Sequence, residues 1–263
     1  MPVDCILPDT FLPSRGMTTD EAADPMSTYM LIHGAMHGAW CWERVIPLLQ
    51  SSGHAVIAPD LPGHGTDRTP RAAVTLAQYV ACVGKLLEAA AEPVVLVGHS
   101  MGGMVVSAAL DAWPAKVRHL VYISAVVPMD GESMNEASGR AAWRNEALET
   151  GLTVAEAGAS HRITAAAARA TFFSDLTEAD AAAAFQRLTP QPNAPLTERV
   201  RLVSGGLEHV PRTYLFCERD QALAPAQQQR AIDRCPGIRV LRLDSGHSPF
   251  ISQPQRLAAL LLL

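Results

Sequence analysis

Short apolar runs alternate with longer segments of helical periodicity along most of the chain. The runs are nearly continuous in hydrophobic residues, as expected for strands that are covered on both faces. The predicted strands are Tyr29–His33, Ala55–Pro59, Val94–Gly98, Val117–Ile123, Thr213–Cys217 and Ile238–Leu243. Alternation of such strands with helices predicts an α/β protein with a mostly parallel sheet and helices on both of its faces.

Three segments between these strands carry the sequence signals of helix ends. Thr75–Ala91 opens with Thr, Leu, Ala and Gln, which is a capping-box pattern. Met101–Trp113 stops before Pro114, and Pro225–Arg234 has proline at a first-turn position. All three are therefore predicted to be helices.

The interval from residue 129 to residue 206 breaks the alternation. It is rich in alanine, has no clear strand pattern and carries apolar side chains at helical spacing. The helices predicted there are Ser138–Leu148, Ala165–Phe173 and Glu178–Leu188. We therefore predict a core formed by residues 26–128 and 207–263, with a helical cap inserted at residues 129–206. Most aromatic side chains of the cap are expected to pack within it, and a minority to line a pocket.

Composition and charge restrict the class of protein. The chain has 263 residues, of which 48% are hydrophobic and 18% charged, and this balance fits a globular enzyme rather than a disordered protein. There are 26 acidic and 21 basic residues, which gives a net charge of −5, and no basic patch indicates nucleic-acid binding. No run of about 18 apolar residues is present, so no membrane span is expected.

The amino-terminal segment and the cysteines bear on location. Residues 1–25 hold five acidic residues and one arginine, and prolines interrupt any apolar core, so we expect a flexible leader rather than a signal peptide. The five cysteines are widely spaced and form no CxxC pair, which argues against a disulfide framework or a zinc site. Reduced thiols and a cytoplasmic location are therefore predicted.

The strongest chemical signal is the segment Gly98-His99-Ser100-Met101-Gly102, which joins a predicted strand to a predicted helix. In that context GxSxG indicates a nucleophile elbow, whose sharp turn requires residues nearly free of side chain on both sides of the serine. The helix that follows presents N–H groups that can stabilise an oxyanion. Ser100 is therefore the predicted nucleophile, the alternative being a serine in an ordinary tight turn.

A serine nucleophile needs a general base and an acid that orients the base. His247 comes just after the last predicted strand, at the sheet edge where Ser100 is expected, and is the predicted base. Asp220 follows the preceding strand and is the predicted acid. Glu218 is the near alternative for the acid, and Asp130 is a more distant one.

The loop after the first strand is the expected source of a second oxyanion donor. Gly34 lets the backbone approach the nucleophile, and the N–H of Ala35 is predicted to act together with that of Met101. Neighbouring histidines lack a third ligand at suitable spacing, and no glycine-rich phosphate loop follows a strand, so neither a metal nor a nucleotide cofactor is predicted. The histidines interpreted as structural are His33, His37, His64 and His99.

Six segments together carry a family resemblance: HGAMHGAWCWERVIPLL, HAVIAPDLPGHG, VVLVGHSMGGMVV, LVYISAVVP, YLFCERD and DSGHSPFISQPQRLA. They resemble the α/β-hydrolase superfamily, in the branch of plant methyl esterases (salicylate-binding esterase, polyneuridine aldehyde esterase), hydroxynitrile lyases and bacterial relatives. The resemblance runs from Tyr29 onward and is weak in the cap. It implies a cofactor-free serine hydrolase with a six-stranded core and a helical cap, and a triad of Ser100, Asp220 and His247.

Two positions separate the activities of that branch. Its hydroxynitrile lyases have a threonine where this chain has Gly34, and a lysine directly after the catalytic histidine, where this chain has Ser248. Both differences favour hydrolysis over cyanide release. The loop Asp60–Gly65 also departs from the plant members and looks bacterial, which argues against plant-hormone esters as substrates.

We therefore predict a serine-dependent carboxylic ester hydrolase that acts through an acyl-enzyme on small, largely apolar esters. The predicted substrate-binding residues are Gly34, Met129, Trp143, Phe172 and Phe173. The alternatives are a hydroxynitrile lyase or carbon–carbon bond hydrolase on the same triad, a thioesterase or acyltransferase, and a non-catalytic ligand receptor. The expected partner is a small-molecule ester, and a homodimer is a further hypothesis.

Overall fold

A computed structural model describes residues 26–139 and 145–263. The predicted leader 1–25 and the predicted pocket residue Trp143 lie outside the described residues. In chain order the strands are β1 (Thr28–Ile32), β2 (Ala55–Ile57), β3 (Val94–His99), β4 (Val117–Ile123), β5 (Leu152–Ala155), β6 (Ser160–Ile163), β7 (Gln191–Pro192), β8 (Arg212–Cys217) and β9 (Arg239–Leu243).

The main sheet has six strands in the order β2-β1-β3-β4-β8-β9. All of its pairings are parallel, and the register sets Leu31 beside Val97 and Tyr122 beside Tyr214. The six strands predicted from apolar runs are thereby confirmed, with ends that differ by at most two residues. Because the strands are parallel, the loops after β3, β8 and β9 all leave from the same edge of the sheet.

Helices cover both faces of this sheet. The α-helices of the described residues, including those in the interval between β4 and β8, are α1 (Ile46–Ser51), α2 (Leu76–Ala89), α3 (Gly102–Ala112), α4 (Met134–Ala137), α5 (Glu146–Gly151), α6 (Ala165–Thr171), α7 (Glu178–Arg187), α8 (Ala194–Thr197), α9 (Pro225–Asp233), α10 (Pro249–Ser252) and α11 (Pro254–Leu261). The predicted capping box is present at α2, where the side chain of Thr75 accepts from the Gln78 N–H and that of Gln78 accepts from the Thr75 N–H.

Successive residues of β1 supply two separate hydrophobic clusters, because neighbouring side chains of a strand point to opposite faces. Met30 and Ile32 pack on the face covered by α2 and α3, and Leu31 packs on the face covered by α1 and α11. All three side chains are fully buried. This two-sided burial explains why the strands are continuous apolar runs in the sequence.

Residues 129–206, which we call the cap segment, contain short helices and a three-stranded antiparallel sheet, β5-β6-β7. The expectation of no strand in this interval is therefore wrong. These strands have two to four residues and many of their side chains are partly exposed, so they leave no apolar run in the sequence. The single helix predicted over Ser138–Leu148 is also wrong, because Gly139 takes a positive φ of 67° after α4 and Asn145 caps a new helix, α5.

The described cysteines agree only in part with the expectation of reduced thiols. Cys41, Cys217 and Cys235 are free and buried, and burial raises the pKa of each thiol. Cys82 is disulfide-bonded, so the expectation fails at this residue. None of the helices in the described part of the chain has the length and hydrophobicity needed to cross a bilayer.

Candidate active site

Strand β3 runs directly into a sharp turn at Ser100, and helix α3 begins two residues later. Ser100 has a φ of 53°, a left-handed conformation that a serine keeps only where its surroundings hold it. A Cβ atom at Gly98 would lie 2.6 Å from Val106 Cγ2, and one at Gly102 would lie 2.9 Å from the carbonyl oxygen of His33. Close packing therefore requires glycine on both sides of the turn.

Hydrogen bonds to the neighbouring chain hold the backbone of this serine. Its N–H donates to the Ile123 carbonyl at 3.2 Å, and its carbonyl accepts from the Val126 N–H at 3.0 Å. The turn is thus fixed from the end of β4 as well as from its own helix. Such support is what allows a non-glycine residue to remain at a positive φ.

A chain of two hydrogen bonds connects Ser100, His247 and Asp220. His247 Nε2 lies 3.1 Å from Ser100 Oγ, and His247 Nδ1 lies 2.6 Å from Asp220 Oδ2. The carboxylate oxygen accepts, so Nδ1 carries the ring proton and Nε2 is left to accept from the serine hydroxyl. The structure therefore brings together the three residues predicted from separate strand ends, in the tautomer that general-base catalysis needs.

Four donors surround the buried carboxylate of Asp220. Oδ2 accepts from His247 and from the Ser124 hydroxyl, while Oδ1 accepts from the N–H groups of Ala222 at 2.7 Å and Leu223 at 2.9 Å. Both oxygens are thus satisfied and the carboxylate is fixed in orientation. No sequence pattern marks Ser124, which reaches Asp220 only through the tertiary fold, with a φ of 37° just after β4.

The two alternatives for the acid lie elsewhere. Glu218 is exposed and lies 3.7 Å from Arg242, and Asp130 is exposed and lies 3.4 Å from Arg201. Neither carboxylate contacts His247. Their positions favour Asp220 as the group that orients the histidine.

The loop after β1 approaches the serine as closely as packing allows. A Cβ atom at Gly34 would lie 2.8 Å from both Ser100 Cβ and His99 Nδ1. The next residue, Ala35, lines the cavity beside the serine. Among the described residues, neither the N–H of Ala35 nor that of Met101 has a hydrogen-bond acceptor. These two donors are therefore available to a ligand.

Two of the histidines interpreted as structural hold the backbone of these loops. His33 Nδ1 donates to the Gly34 carbonyl at 2.8 Å, and its Nε2 accepts from the Leu61 N–H at 3.1 Å. His99 Nε2 donates to the His247 carbonyl at 2.8 Å. Burial lowers the pKa of both rings, which therefore stay neutral. Within residues 26–139 and 145–263, no cluster of three or more His, Cys, Asp or Glu residues could hold a metal ion.

A cavity of about 110 Å³ opens beside Ser100 and His247. Its apolar wall includes Val126, Met134, Leu148, Leu152, Phe172 and Leu196. Most of these side chains come from the cap segment, and sequence analysis identified only Phe172 among them. The others belong to short, separate elements whose convergence has no local sequence signal.

The structure places only some of the predicted substrate-binding residues at the site. Phe172 lies in the cavity wall with its ring stacked on His247 at a centroid distance of 5.6 Å, and Gly34 lies against Ser100. The structure does not bring Phe173 or Met129 to the cavity. Phe173 is fully buried in the hydrophobic core behind it, and Met129 is 50% exposed at the surface.

Residues 30–260 of the chain match the family model described as "Alpha/beta hydrolase family". The chain therefore belongs to the alpha/beta hydrolase family, in agreement with its strand order and the sharp turn at Ser100. Within that family it is similar to Methylesterase 3 of Arabidopsis thaliana, with 31% identity over 246 residues that cover 89% of this chain and 94% of the relative. The predicted family, its methyl esterase branch and the fold class are thereby confirmed.

Solved structures share the same architecture. A pyrethroid hydrolase from Sphingobium faniae superposes with a TM-score of 0.78 at 26% identity, covering 90% of this chain and 96% of that one. Polyneuridine aldehyde esterase superposes with a TM-score of 0.80 at 23% identity, covering 90% and 98%, respectively. The second likeness is one of fold alone.

Proposed function

We propose that this protein is a serine-dependent carboxylic ester hydrolase that acts through an acyl-enzyme. The observation that carries the proposal is the chain of hydrogen bonds from Asp220 through His247 to Ser100. In it the unprotonated Nε2 of the histidine lies 3.1 Å from the serine hydroxyl. The name of one relative, Methylesterase 3, supports hydrolysis of ester bonds, and the name of the pyrethroid hydrolase supports hydrolysis more generally.

The proposed reaction has two halves. Ser100 Oγ attacks the ester carbonyl while His247 Nε2 takes its proton, and the N–H groups of Ala35 and Met101 stabilise the negative oxygen of the tetrahedral intermediate. His247 then donates the proton to the leaving alcohol. A water molecule, deprotonated by His247, attacks the acyl-enzyme and releases the acid. Throughout, Asp220 keeps the ring in the required tautomer.

The cavity supports small, uncharged and largely apolar substrates. No Lys or Arg side chain is found among its described lining residues, so none of them can neutralise a charged substrate group. Apart from Ser100 and His247, its larger polar side chains are engaged with the protein. Asn145 donates to the Gln221 carbonyl, Gln227 donates to the Ser138 carbonyl, and Gln191 accepts from the Met36 N–H. Recognition therefore depends on apolar contact around the reacting carbonyl.

Two positions weigh against the lyase alternative. A threonine at position 34 would place its Cβ 2.8 Å from Ser100 Cβ, which this loop cannot accommodate without moving. The residue after His247 is a fully buried serine rather than a lysine, and it offers no positive charge to a cyanide leaving group.

The test is hydrolysis of p-nitrophenyl esters from acetate to octanoate. Wild type is compared with Ser100→Ala and His247→Ala, and with Ser51→Ala as a control on the surface. Turnover should fall by about 10⁴-fold or more in the two site variants and remain unchanged in the control. A folded wild type that hydrolyses no ester would overturn the proposal. A strong preference for thioesters, or for transfer to alcohols, would replace it with a thioesterase or acyltransferase.

A further inference from the structure

The residue after the candidate oxyanion donor Ala35 has an unusual backbone. Met36 is buried and has a φ of 64°, in the left-handed region that a non-glycine residue occupies only under constraint. Its N–H donates to Gln191 Oε1 at 3.1 Å. Its carbonyl accepts from the Thr189 N–H at 2.9 Å and from the Thr189 hydroxyl at 3.4 Å. The cap segment thus holds both backbone groups of Met36.

The side chains that hold Met36 are joined into a closed circuit. Because Gln191 Oε1 accepts from Met36, its Nε2 is the donor, and it donates to the Tyr79 oxygen at 3.4 Å. The Tyr79 hydroxyl is then left to donate to His64 Nε2 at 2.8 Å. The Nδ1–H of His64 donates in turn to the Thr189 hydroxyl at 3.2 Å. The hydrogen bond from that hydroxyl to the Met36 carbonyl closes the circuit. Every member both donates and accepts.

Burial makes this circuit sensitive to the loss of Tyr79, His64 or Gln191. Tyr79 and His64 are fully buried and Gln191 is 1% exposed, so water cannot replace a missing partner. Burial also lowers the pKa of His64 well below its ordinary value, which keeps the ring neutral and able to accept at Nε2. The circuit joins the core, through Tyr79 and His64, to the cap segment.

The rest of the loop is held by its own histidines. His33 Nδ1 donates to the Gly34 carbonyl and His37 Nδ1 donates to the Ala35 carbonyl, each at 2.8 Å. With both groups of Met36 also engaged, the N–H of Ala35 remains as a donor for a ligand.

We propose that Gln191 and Tyr79 are positioning residues of this site, which act through Met36 to fix the N–H of Ala35 where the oxyanion forms. The inference rests on the proposed ester hydrolysis. It assigns a catalytic consequence to Tyr79, which does not line the cavity and cannot touch a substrate there.

The experiment measures kcat and KM for a p-nitrophenyl ester in Gln191→Met and Tyr79→Phe. Removal of a whole oxyanion donor costs about 10²–10³-fold in kcat, so displacement of one should cost less, about 10-fold for Gln191→Met and several-fold for Tyr79→Phe. KM should change by less than about twofold in Tyr79→Phe, because Tyr79 does not line the cavity and the interaction is made in the transition state. Affinity for an alkyl boronic acid, which forms a tetrahedral adduct on Ser100, should fall by the same factor as kcat.

A matched control separates positioning from a general loss of stability. Tyr122 is also fully buried, and its hydroxyl lies 2.7 Å from Ser107 Oγ, away from the loop after β1. Tyr122→Phe should lower Tm about as much as Tyr79→Phe does and leave kcat and boronate affinity unchanged.

Three results would contradict the inference. Unchanged kcat and boronate affinity in both Gln191→Met and Tyr79→Phe would overturn it while leaving the proposed function intact, and so would an equal loss of kcat in Tyr122→Phe. A folded wild type without Ser100-dependent ester turnover would overturn the proposed function, and the positioning role with it.

Discussion

The close approach of Gly34 to Ser100 leads to a quantitative prediction for Gly34→Ala. The added Cβ would lie 2.8 Å from Ser100 Cβ, 2.8 Å from His99 Nδ1 and 3.2 Å from the His99 carbonyl oxygen. Ordinary contact distances for such atoms start near 3.4 Å. The loop must therefore move by roughly half an ångström, because Ser100 and His99 are held by the turn after β3.

This movement would displace the N–H of Ala35 from the carbonyl oxygen of the substrate. A shift of about 1 Å in a reacting geometry can cost about 10²-fold, so we expect kcat to fall by about 10- to 100-fold in Gly34→Ala. Overpacking should also reduce the free energy of unfolding by about 1–3 kcal/mol. Steady-state kinetics on p-nitrophenyl butyrate and urea denaturation measure the two effects.

The control is Gly53→Ala, on the surface between α1 and β2. Gly53 has a φ of 85° and no atom within 4 Å of an added Cβ, so alanine there would be strained without a clash. The strain should cost about 1–2 kcal/mol, a loss of stability similar to that expected at position 34. Wild-type kcat in Gly34→Ala would refute the argument, and so would an equal loss of kcat in Gly53→Ala.

Three further predictions concern the acid, the buried histidines and the cavity wall. Ser124→Ala removes one donor to Asp220 and should lower kcat by about 3- to 10-fold with little change in KM, measured beside Ser51→Ala; an unchanged kcat would mean that this bond does not orient the acid. Burial lowers the pKa of His37 to about 3 and that of His99 well below its ordinary value, whereas the unfolded chain protonates both below about pH 6.5. Below about pH 6.5 the unfolded state therefore binds more protons than the folded state. Urea denaturation should show the free energy of unfolding falling with pH by about 1.4 kcal/mol per pH unit for each ring. A free energy of unfolding that does not change with pH would contradict this. Phe172→Ala enlarges the cavity beside His247 and should shift preference toward longer acyl chains, which the ester series would detect as a change in the optimum.

The sharp turn at Ser100 could be predicted from sequence because its cause is local. Gly98 and Gly102 flank Ser100 within five residues, and the apolar run before it marks the strand. Asp220 and His247 could be placed because parallel strands end at one edge, so a residue just after a strand is close to other such residues. Each of these inferences uses a short segment and a general rule of the fold.

The cavity wall could not be predicted in the same way. Leu148, Leu152 and Leu196 come from three separate short elements, and nothing in their own neighbourhoods distinguishes them from other partly buried leucines. Met129 and Phe173 are apolar residues of the cap segment, but that property does not determine whether a side chain faces solvent, core or cavity. The partners of Gln191 and Ser124 are likewise set by tertiary contacts with residues far away in the sequence.

The central claim is a covalent acyl-enzyme on Ser100. The most direct measurement is mass spectrometry of wild type quenched with acid during turnover of p-nitrophenyl butyrate, followed by trypsin digestion. The peptide spanning residues 86–116 contains Ser100, with Ser107 as its only other serine, and fragmentation distinguishes the two. We predict one butyryl group on Ser100, absent in Ser100→Ala and in enzyme without substrate. Turnover with no acyl group on this peptide, or with the group on another residue, would contradict the proposed mechanism.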